Sequence, residues 1–178
     1  SILLEWITKR SMPPKQPSWW QQAIVYQIYP RSFQDSTGNG VGDILGIIQR
    51  IEHLEWLGVN TIWLSPVFFS PQCDMGYDIA DYCAIDPLFG TMDDMLELID
   101  ALHRRGMKIL LDGVFNHTSD QHPWFQDSLN EVNGKSDWYI WSTEPNNWQS
   151  AFGGSAWTYS SKRQAYYLHT FASSQPDL

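Results

Sequence analysis

The stretch TMDDMLELIDALHRRGMKILLDGVFNH, residues 91–117, holds a complete helix-to-strand unit, and its reading decides the fold. Thr91 and Asp94 stand three apart, a capping-box pair with Asp in place of the usual Glu. Met95, Leu98, Ile99 and Leu102 then recur at three and four residues, the period of one helix face. Gly106 sits where helices end on a left-handed residue. Met107 to Phe115 reads as a strand, and its segment Ile109-Leu-Leu111 is apolar on both faces, as strands covered on both sides are. The alternation repeats upstream. Ala23-Ile-Val-Tyr-Gln-Ile-Tyr-Pro30 is a strand by its β-branched and aromatic content. Ile44, Ile47, Ile48, Ile51 and Leu54 follow as one helical stripe closed at Gly58, and Val59 to Leu64 is a second strand. The order β-α-β-α-β predicts an α/β fold on a parallel sheet, because crossover helices join parallel neighbours. A long connection runs from Ser65 to Gly90.

The flanks differ. Residues 1–18 form a poorly patterned lead broken by Pro13, Pro14 and Pro17. Residues 19–117 carry the βα pattern. Residues 118–178 have a short helix at His122 to Leu129, then turn Trp-, Tyr-, Asn- and Ser-rich, and read as an irregular, partly β excursion inserted after the third strand. The chain has 178 residues, 11 Lys and Arg against 20 Asp and Glu, and a net charge of −9, which argues against nucleic acid and anionic membrane surfaces as partners. No apolar run reaches the length of a membrane span, and no signal peptide of the usual kind stands at Ser1, so a cytoplasmic location is expected. Cys73 and Cys83 make neither a disulfide framework nor a zinc site and are expected to be buried or half-buried thiols. Ten Trp residues imply an aromatic core or platforms for flat-faced ligands.

Three polar clusters follow the three strands. All lie on connections leaving the carboxyl ends of parallel strands, the edge where ligands bind in α/β folds. In Asp35-Ser-Thr-Gly-Asn-Gly-Val-Gly-Asp43, side-chain oxygens stand at Asp35, Thr37, Asn39 and Asp43, and Val41 offers its carbonyl. Gly40 supplies the turn between them. This is the ligand spacing of a calcium loop, although Gly46 in place of a terminal Glu excludes a true EF-hand. The bland alternative is a turn in which Asp43 caps the following helix. In Gly76-Tyr-Asp-Ile-Ala-Asp-Tyr82, Tyr77 beside Asp78 offers an aromatic face and a carboxylate, which together suit a sugar ring; a helix N-cap role for one Asp is the alternative. In Asp112-Gly-Val-Phe-Asn-His117, period two places Leu110, Asp112, Val114 and Asn116 on one strand face. An Asp inside an apolar strand needs a partner, and Arg31 is the nearest candidate by topology. His117 stands at the carboxyl end of the same strand.

Tyr26-Gln-Ile-Tyr-Pro-Arg-Ser-Phe33, Gly76-Tyr-Asp-Ile-Ala-Asp-Tyr82, Ile85-Asp-Pro-Leu-Phe-Gly-Thr91 and Asp112-Gly-Val-Phe-Asn-His117 resemble the α-amylase superfamily, glycoside hydrolase family 13, and occur in its order. His117-Thr-Ser-Asp-Gln-His-Pro-Trp-Phe125 and Gln175-Pro-Asp-Leu178 resemble its oligo-1,6-glucosidase branch. The resemblance implies the first three strands of a (β/α)8 TIM barrel with a subdomain inserted after strand three. It implies a retaining α-glucosidase acting on short malto- or isomalto-oligosaccharides or disaccharides. Asp78 and His117 then hold the sugar at the cleavage subsite, Tyr77 stacks on it, and Asp112, Asn116 and Arg31 support them. Asp35, Thr37, Asn39, Val41 and Asp43 become Ca²⁺ ligands, with Thr37 and Asn39 departing from the family's more frequent Asn and Asp. No organic cofactor is implied.

A (β/α)8 barrel takes about 250 residues. The family's nucleophilic Asp and acid/base Glu follow strands four and five, beyond Leu178, and a retaining mechanism needs both. The chain therefore reads as an N-terminal fragment, expected to be inactive and poorly stable by itself. Related alternatives are a transglycosylase or isomerase, such as a trehalose synthase or sucrose-acting enzyme, and a non-catalytic ectodomain associated with a transporter. A carbohydrate-binding module on the Trp-rich tail is a third class.

Overall fold

The structure is a computed structural model and describes residues 16–178. Most of the lead lies outside the described residues. A 3-10 turn at Trp19–Gln22 precedes strand β1 (Val25–Ile28). Helices α1 (Pro30–Phe33), α2 (Ile44–Gln49) and α3 (Ile51–Trp56) lead to β2 (Thr61–Leu64). A short antiparallel pair, β3 (Phe68–Phe69) and β4 (Asp81–Ile85), precedes α4 (Met92–Arg104) and β5 (Lys108–Leu111). Helix α5 (Pro123–Leu129) opens the last segment, where β6 (Trp141–Ser142), β7 (Trp157–Ser160) and β8 (Ala165–Leu168) form an antiparallel sheet.

The sheet β1-β2-β5 is parallel throughout, with Ile28 beside Leu64 and Ile62 beside Ile109. One face is dry. Ile28, Ile62 and Leu64 meet Ile44, Ile47, Ile51 and Leu54 from α2 and α3, and Met95, Leu98 and Leu102 from α4, in one buried cluster. The other face carries Val25, Trp63 and Leu110, all exposed, and is the side expected to line the lumen of a barrel. The outer edges of β1 and β5 have no strand partner among the described residues.

Local chemistry accounts for most boundaries. The capping box at Thr91 and Asp94 forms in both directions: Thr91 Oγ1 accepts the Asp94 N–H at 3.1 Å, and Asp94 accepts the Thr91 N–H at 2.7 Å. Asp43 caps α2, accepting the Gly46 N–H at 2.6 Å. Gly42 and Gly46 are dictated by close approach: a Cβ at either one meets the Pro30 or Gln34 carbonyl oxygen at 2.1 or 1.9 Å. These close approaches seat the start of α2 against α1.

Four expectations need correction. The helix over Ile44 to Leu54 breaks at Arg50, whose N–H donates to Ile47 rather than one residue further back, tightening the turn. The first strand stops at Ile28, because Pro30 opens α1 at its first position. The third strand stops at Leu111, and only the Asp112 N–H continues the ladder, to Leu64 at 3.2 Å. Both cysteines are exposed rather than buried.

The aromatic excess beyond His117 builds a core. The Phe125 ring lies parallel to Trp141 at 5.7 Å and meets Tyr139 and Tyr167 edge-on at 5.1 and 5.2 Å. Arg163 lies over the Trp141 ring, its guanidinium 4.4 Å from the ring centroid.

Candidate active site

The connections after β2 and β5 meet at the carboxyl edge of the sheet. The loop after β3 passes through left-handed conformations at Gln72 (φ 63°), Met75 (φ 51°) and Gly76 (φ 102°). These turns wrap it around the Asp78 carboxylate, which accepts from Ser70 Oγ, the Cys73 N–H and the Asp74 N–H, each at 2.9 Å. Asp78 is 0% exposed, and Oδ2 spends only one lone pair, on Cys73. Neither Asp78 nor Asp81 caps a helix among the described residues; Asp78 caps its own loop.

Tyr77 leaves the loop toward the sheet. Its hydroxyl donates to Asp112 Oδ2 at 3.1 Å, and the Trp63 indole donates to the same oxygen at 3.2 Å. Burial, and then the Asp112 charge, push the Tyr77 hydroxyl above its ordinary pKa, so it remains a donor. Asp112 faces the lumen side with Leu110, as period two requires. Its partners are Tyr77 and Trp63, not Arg31. Arg31 donates to Gln72 Oε1 at 3.2 Å instead, its Nε is buried without a partner, and Gln72 passes the contact on to the buried Asp86 at 2.9 Å. Arg31 is tied to the loop carrying Asp78, a step removed from Asp112.

His117 is buried where the chain leaves the barrel edge. Its Nε2 lies 3.1 Å from the Tyr77 carbonyl, and its Nδ1 lies 3.2 Å from the Asn116 amide nitrogen. Burial pushes its pKa below 6.5 against the pull of the Tyr77 carbonyl and of Asp177, Asp74 and Asp78. Tyr77, Asp78 and His117 are thereby brought together, with Asp112 and Asn116 in contact with them.

Sequence reasoning missed the residues that close this group. Gln175 is 0% exposed and donates to Asp74 Oδ2 at 2.8 Å. Asp177 pairs with His117 in an isolated backbone bridge and accepts from Asn116 Nδ2 at 3.0 Å. The Phe171 ring meets His117 edge-on at 5.3 Å, and exposed Phe152 lies 5.9 Å beyond it. Gln175 and Asp177 stood in the sequence only within a family-like motif. No local spacing links Gln175 to His117, 58 residues earlier.

The loop after α1 is a separate site. Asp35 accepts the N–H groups of Gly40 at 2.7 Å, Gly38 at 2.8 Å and Thr37 at 2.9 Å. These bonds, that of Gly40 foremost, hold its pKa at about 2. Ser36 donates to Asp43 Oδ2 at 3.0 Å, drawing the loop's two ends together. Positive φ at Gly38 and Gly40 coils the backbone between them. Asp35, Thr37, Asn39, Asp43 and the Val41 carbonyl offer oxygen donors only, with two carboxylates. That set fits a hard cation such as Ca²⁺ and not a softer metal. No group of three or more His, Cys, Asp or Glu side chains arranged for a metal occurs among the described residues, so neutral oxygens would have to supply most of any coordination.

The family model for the alpha-amylase catalytic domain matches residues 27–178. The chain belongs to the alpha-amylase family. It is 53% identical over 167 residues to the trehalose-6-phosphate hydrolase of Escherichia coli K12, covering 91% of this chain and 30% of that protein. It is 52% identical over 169 residues to the oligo-1,6-glucosidase of Bacillus cereus, covering 92% and 30%. Among solved structures, the trehalose-6-phosphate hydrolase of Bacillus licheniformis superposes with a TM-score of 0.88 at 48% identity, over 91% of this chain and 30% of that one. An isomaltulose synthase variant of Erwinia rhapontici, solved with sucrose, superposes with a TM-score of 0.89 at 48% identity, over 92% and 30%. The chain thus spans about 30% of the length of the relatives it matches. Within the alpha-amylase fold, β1, β2 and β5 are the first three strands of the (β/α)8 barrel, and the antiparallel sheet belongs to the subdomain inserted after the third. No helix among the described residues is long and apolar enough to cross a membrane.

Proposed function

We propose that this chain supplies the sugar-holding wall of a retaining α-glucosidase whose whole protein acts on short α-glucosides. The observation that carries the reading is the convergence of Tyr77, Asp78 and His117 at the carboxyl edge of the parallel strands. Tyr77 offers a ring face to the sugar's C–H groups. The free lone pair of Asp78 Oδ2 accepts a sugar hydroxyl, and His117 lies against the same sugar with its ring proton shared with the Tyr77 carbonyl. Asp112 orients Tyr77 through its hydroxyl. The reacting carboxylates, a nucleophile and an acid/base, belong to strands four and five of the barrel and stand about 5 Å apart in a retaining enzyme. Residues 19–117 form the barrel part and 118–178 the insertion that roofs the wall. Asp35, Thr37, Asn39, Val41 and Asp43 hold a structural Ca²⁺, which fixes the β1–α2 corner and takes no part in the reaction.

The experiment is kinetic, on the whole protein with an aryl α-glucoside. Asp78→Ala and His117→Ala each lower kcat/KM by about a hundred- to a thousand-fold, or about 3–4 kcal/mol of transition-state binding. Unchanged kcat/KM in both removes the assignment. Transfer of the glucosyl unit to an acceptor other than water is the second reading, favoured by the likeness to an isomaltulose synthase solved with sucrose. Product analysis with sucrose separates rearranged disaccharide from glucose and fructose.

A further inference from the structure

The ring of His117 is surrounded by groups whose orientation is already decided. Asp177 is buried and accepts the Thr170 N–H on both oxygens at 3.0 Å, as well as the Thr170 hydroxyl, so both of its oxygens act as acceptors. Asn116 reaches Asp177 Oδ1 at 3.0 Å, and only its NH₂ end can do so. The second hydrogen of that NH₂ points at His117 Nδ1, 3.2 Å away. Nδ1 must therefore accept. Nε2 lies 3.1 Å from the Tyr77 carbonyl, which cannot donate, so Nε2 must carry the proton.

Gln175 adds a second constraint. Its Oε1 accepts the Ala172 N–H at 3.1 Å and its Nε2 donates to Asp74 at 2.8 Å, which fixes the amide's direction. The same Nε2 lies 3.1 Å from His117 Nε2. A proton on Nε2 satisfies two contacts and opposes this one. A proton on Nδ1 satisfies this one and opposes the other two. An imidazolium faces an amide donor at both nitrogens.

We infer that Asn116, oriented by Asp177, is the positioning residue that holds His117 as a neutral imidazole with its proton on Nε2, while Gln175 opposes only the imidazolium's gain of a partner at that nitrogen. The inference deepens the reading of His117 as a sugar-holding residue: the wall then presents a neutral ring whose one proton is shared with the Tyr77 carbonyl. The ionisable groups facing the ring are Asp74 and Asp78 from the loop after β3, Asp177 from the bridge, and Tyr82, whose hydroxyl donates to the His117 carbonyl at 2.9 Å. The three carboxylates favour the cation. Burial and the two amide donors oppose it, and the net shift is downward.

The test needs no turnover, so its failure is distinct from failure of the glycosidase reading. Ring-¹⁵N histidine is incorporated into the whole protein, and long-range ¹H–¹⁵N correlations are recorded from about pH 5 to about pH 8. His117→Gln assigns the ring by the signals it removes. The expected pattern is a protonated Nε2, a bare Nδ1 and a titration midpoint below that of a free imidazole. A bare Nε2, or an imidazolium near neutrality, overturns the inference. Asn116→Asp combined with Asp177→Asn replaces the donor facing Nδ1 with an anionic acceptor without setting two carboxylates side by side. The proton then moves to Nδ1 and the titration midpoint rises by about one to three units. If Nδ1 stays bare in that variant, Asn116 acts only as a spacer and the inference falls. If the variant does not fold, the wild-type spectrum decides alone.

Discussion

Arg163→Ala tests how the inserted segment is held together. Arg163 Nη1 donates to the Ser128 carbonyl at 2.6 Å, the Ser136 carbonyl at 2.8 Å and Ser128 Oγ at 3.1 Å. Its side chain is only 11% exposed, so these bonds are largely shielded from water. Truncation removes the charged donor from both carbonyls, about 1.5–3 kcal/mol each, although the Glu131 N–H still donates to Ser128 and Ser128 Oγ to Ser136, each at 3.1 Å. It also removes the contact with Trp141, worth about 1–2 kcal/mol when desolvated. The ion pair to Glu131, at 4.0 Å and with Glu131 63% exposed, adds little. Ser128 Oγ keeps the Trp141 indole at 3.0 Å, and water entering the gap recovers part of the loss. The expected cost is about 3–5 kcal/mol of local stability. The assay is native-state cleavage by chymotrypsin within residues 118–178 of the whole protein. Where cleavage follows the population of the opened segment, about 3 kcal/mol raises the rate more than a hundredfold. Arg163→Lys falls between, because a single ammonium cannot reproduce the planar fork. An increase under about fivefold for Arg163→Ala refutes the account of this hub.

Other expectations follow from the same geometry. Saturating Ca²⁺ raises the melting temperature of the whole protein, and Asp35→Asn abolishes that rise; a hundredfold excess over Kd corresponds to about 2.7 kcal/mol. Absence of any calcium-dependent shift in the wild type removes the metal. Leu98→Ala, at a position 0% exposed beneath the sheet, costs about 2–5 kcal/mol in denaturant unfolding, whereas Leu96→Ala on the exposed side of α4 costs little. Burial holds both His117 and His122 below 6.5, so the unfolded chain takes up their protons first as pH falls. Their contribution is complete above about pH 6.5 and is lost as pH falls through the lowered folded values, which proteolysis of the inserted segment at stepped pH reads directly. Segment stability that is flat from about pH 7 to about pH 5 contradicts this.

The βα units were legible because each rests on contacts within a few residues. The stripe Met95, Leu98 and Leu102, the capping box at Thr91 and the cap at Asp43 all act inside one or two turns. So does the Asp35 loop, whose hydrogen bonds span at most seven residues. What stayed hidden depends on contacts between distant segments. Asp112 needed a partner, and topology pointed to Arg31. The answer was Tyr77 and Trp63, which the β2–β5 register and the left-handed loop at Met75 and Gly76 bring above it. Gln72, which diverts Arg31, has a positive φ that its residue type does not announce. The roles of Gln175 and Asp177 appear only when the chain returns through β8 to bridge His117.

That loop also bears on how Asp78 is to be tested. The carboxylate is the acceptor around which residues 70–78 turn, so loss of activity in Asp78→Ala mixes a lost sugar contact with a loosened loop. Asp78→Asn keeps the shape and separates the two. Placed at the Oδ1 position, the new NH₂ faces the Asp74 N–H; placed at Oδ2, it faces the Cys73 N–H. The Ser70 hydroxyl can rotate to accept, but a backbone N–H cannot. Either orientation leaves one buried donor unpaired, at about 1–3 kcal/mol. The expected result is a lowered melting temperature together with a fall in kcat/KM, both smaller than in Asp78→Ala. If Asp78→Asn melts with the wild type while kcat/KM collapses, the carboxylate serves substrate alone, and the hydrogen bonds from Ser70, Cys73 and Asp74 do not stabilise the loop. If stability falls and kcat/KM holds, Asp78 shapes the wall without touching the sugar, and Tyr77 and His117 carry the contact.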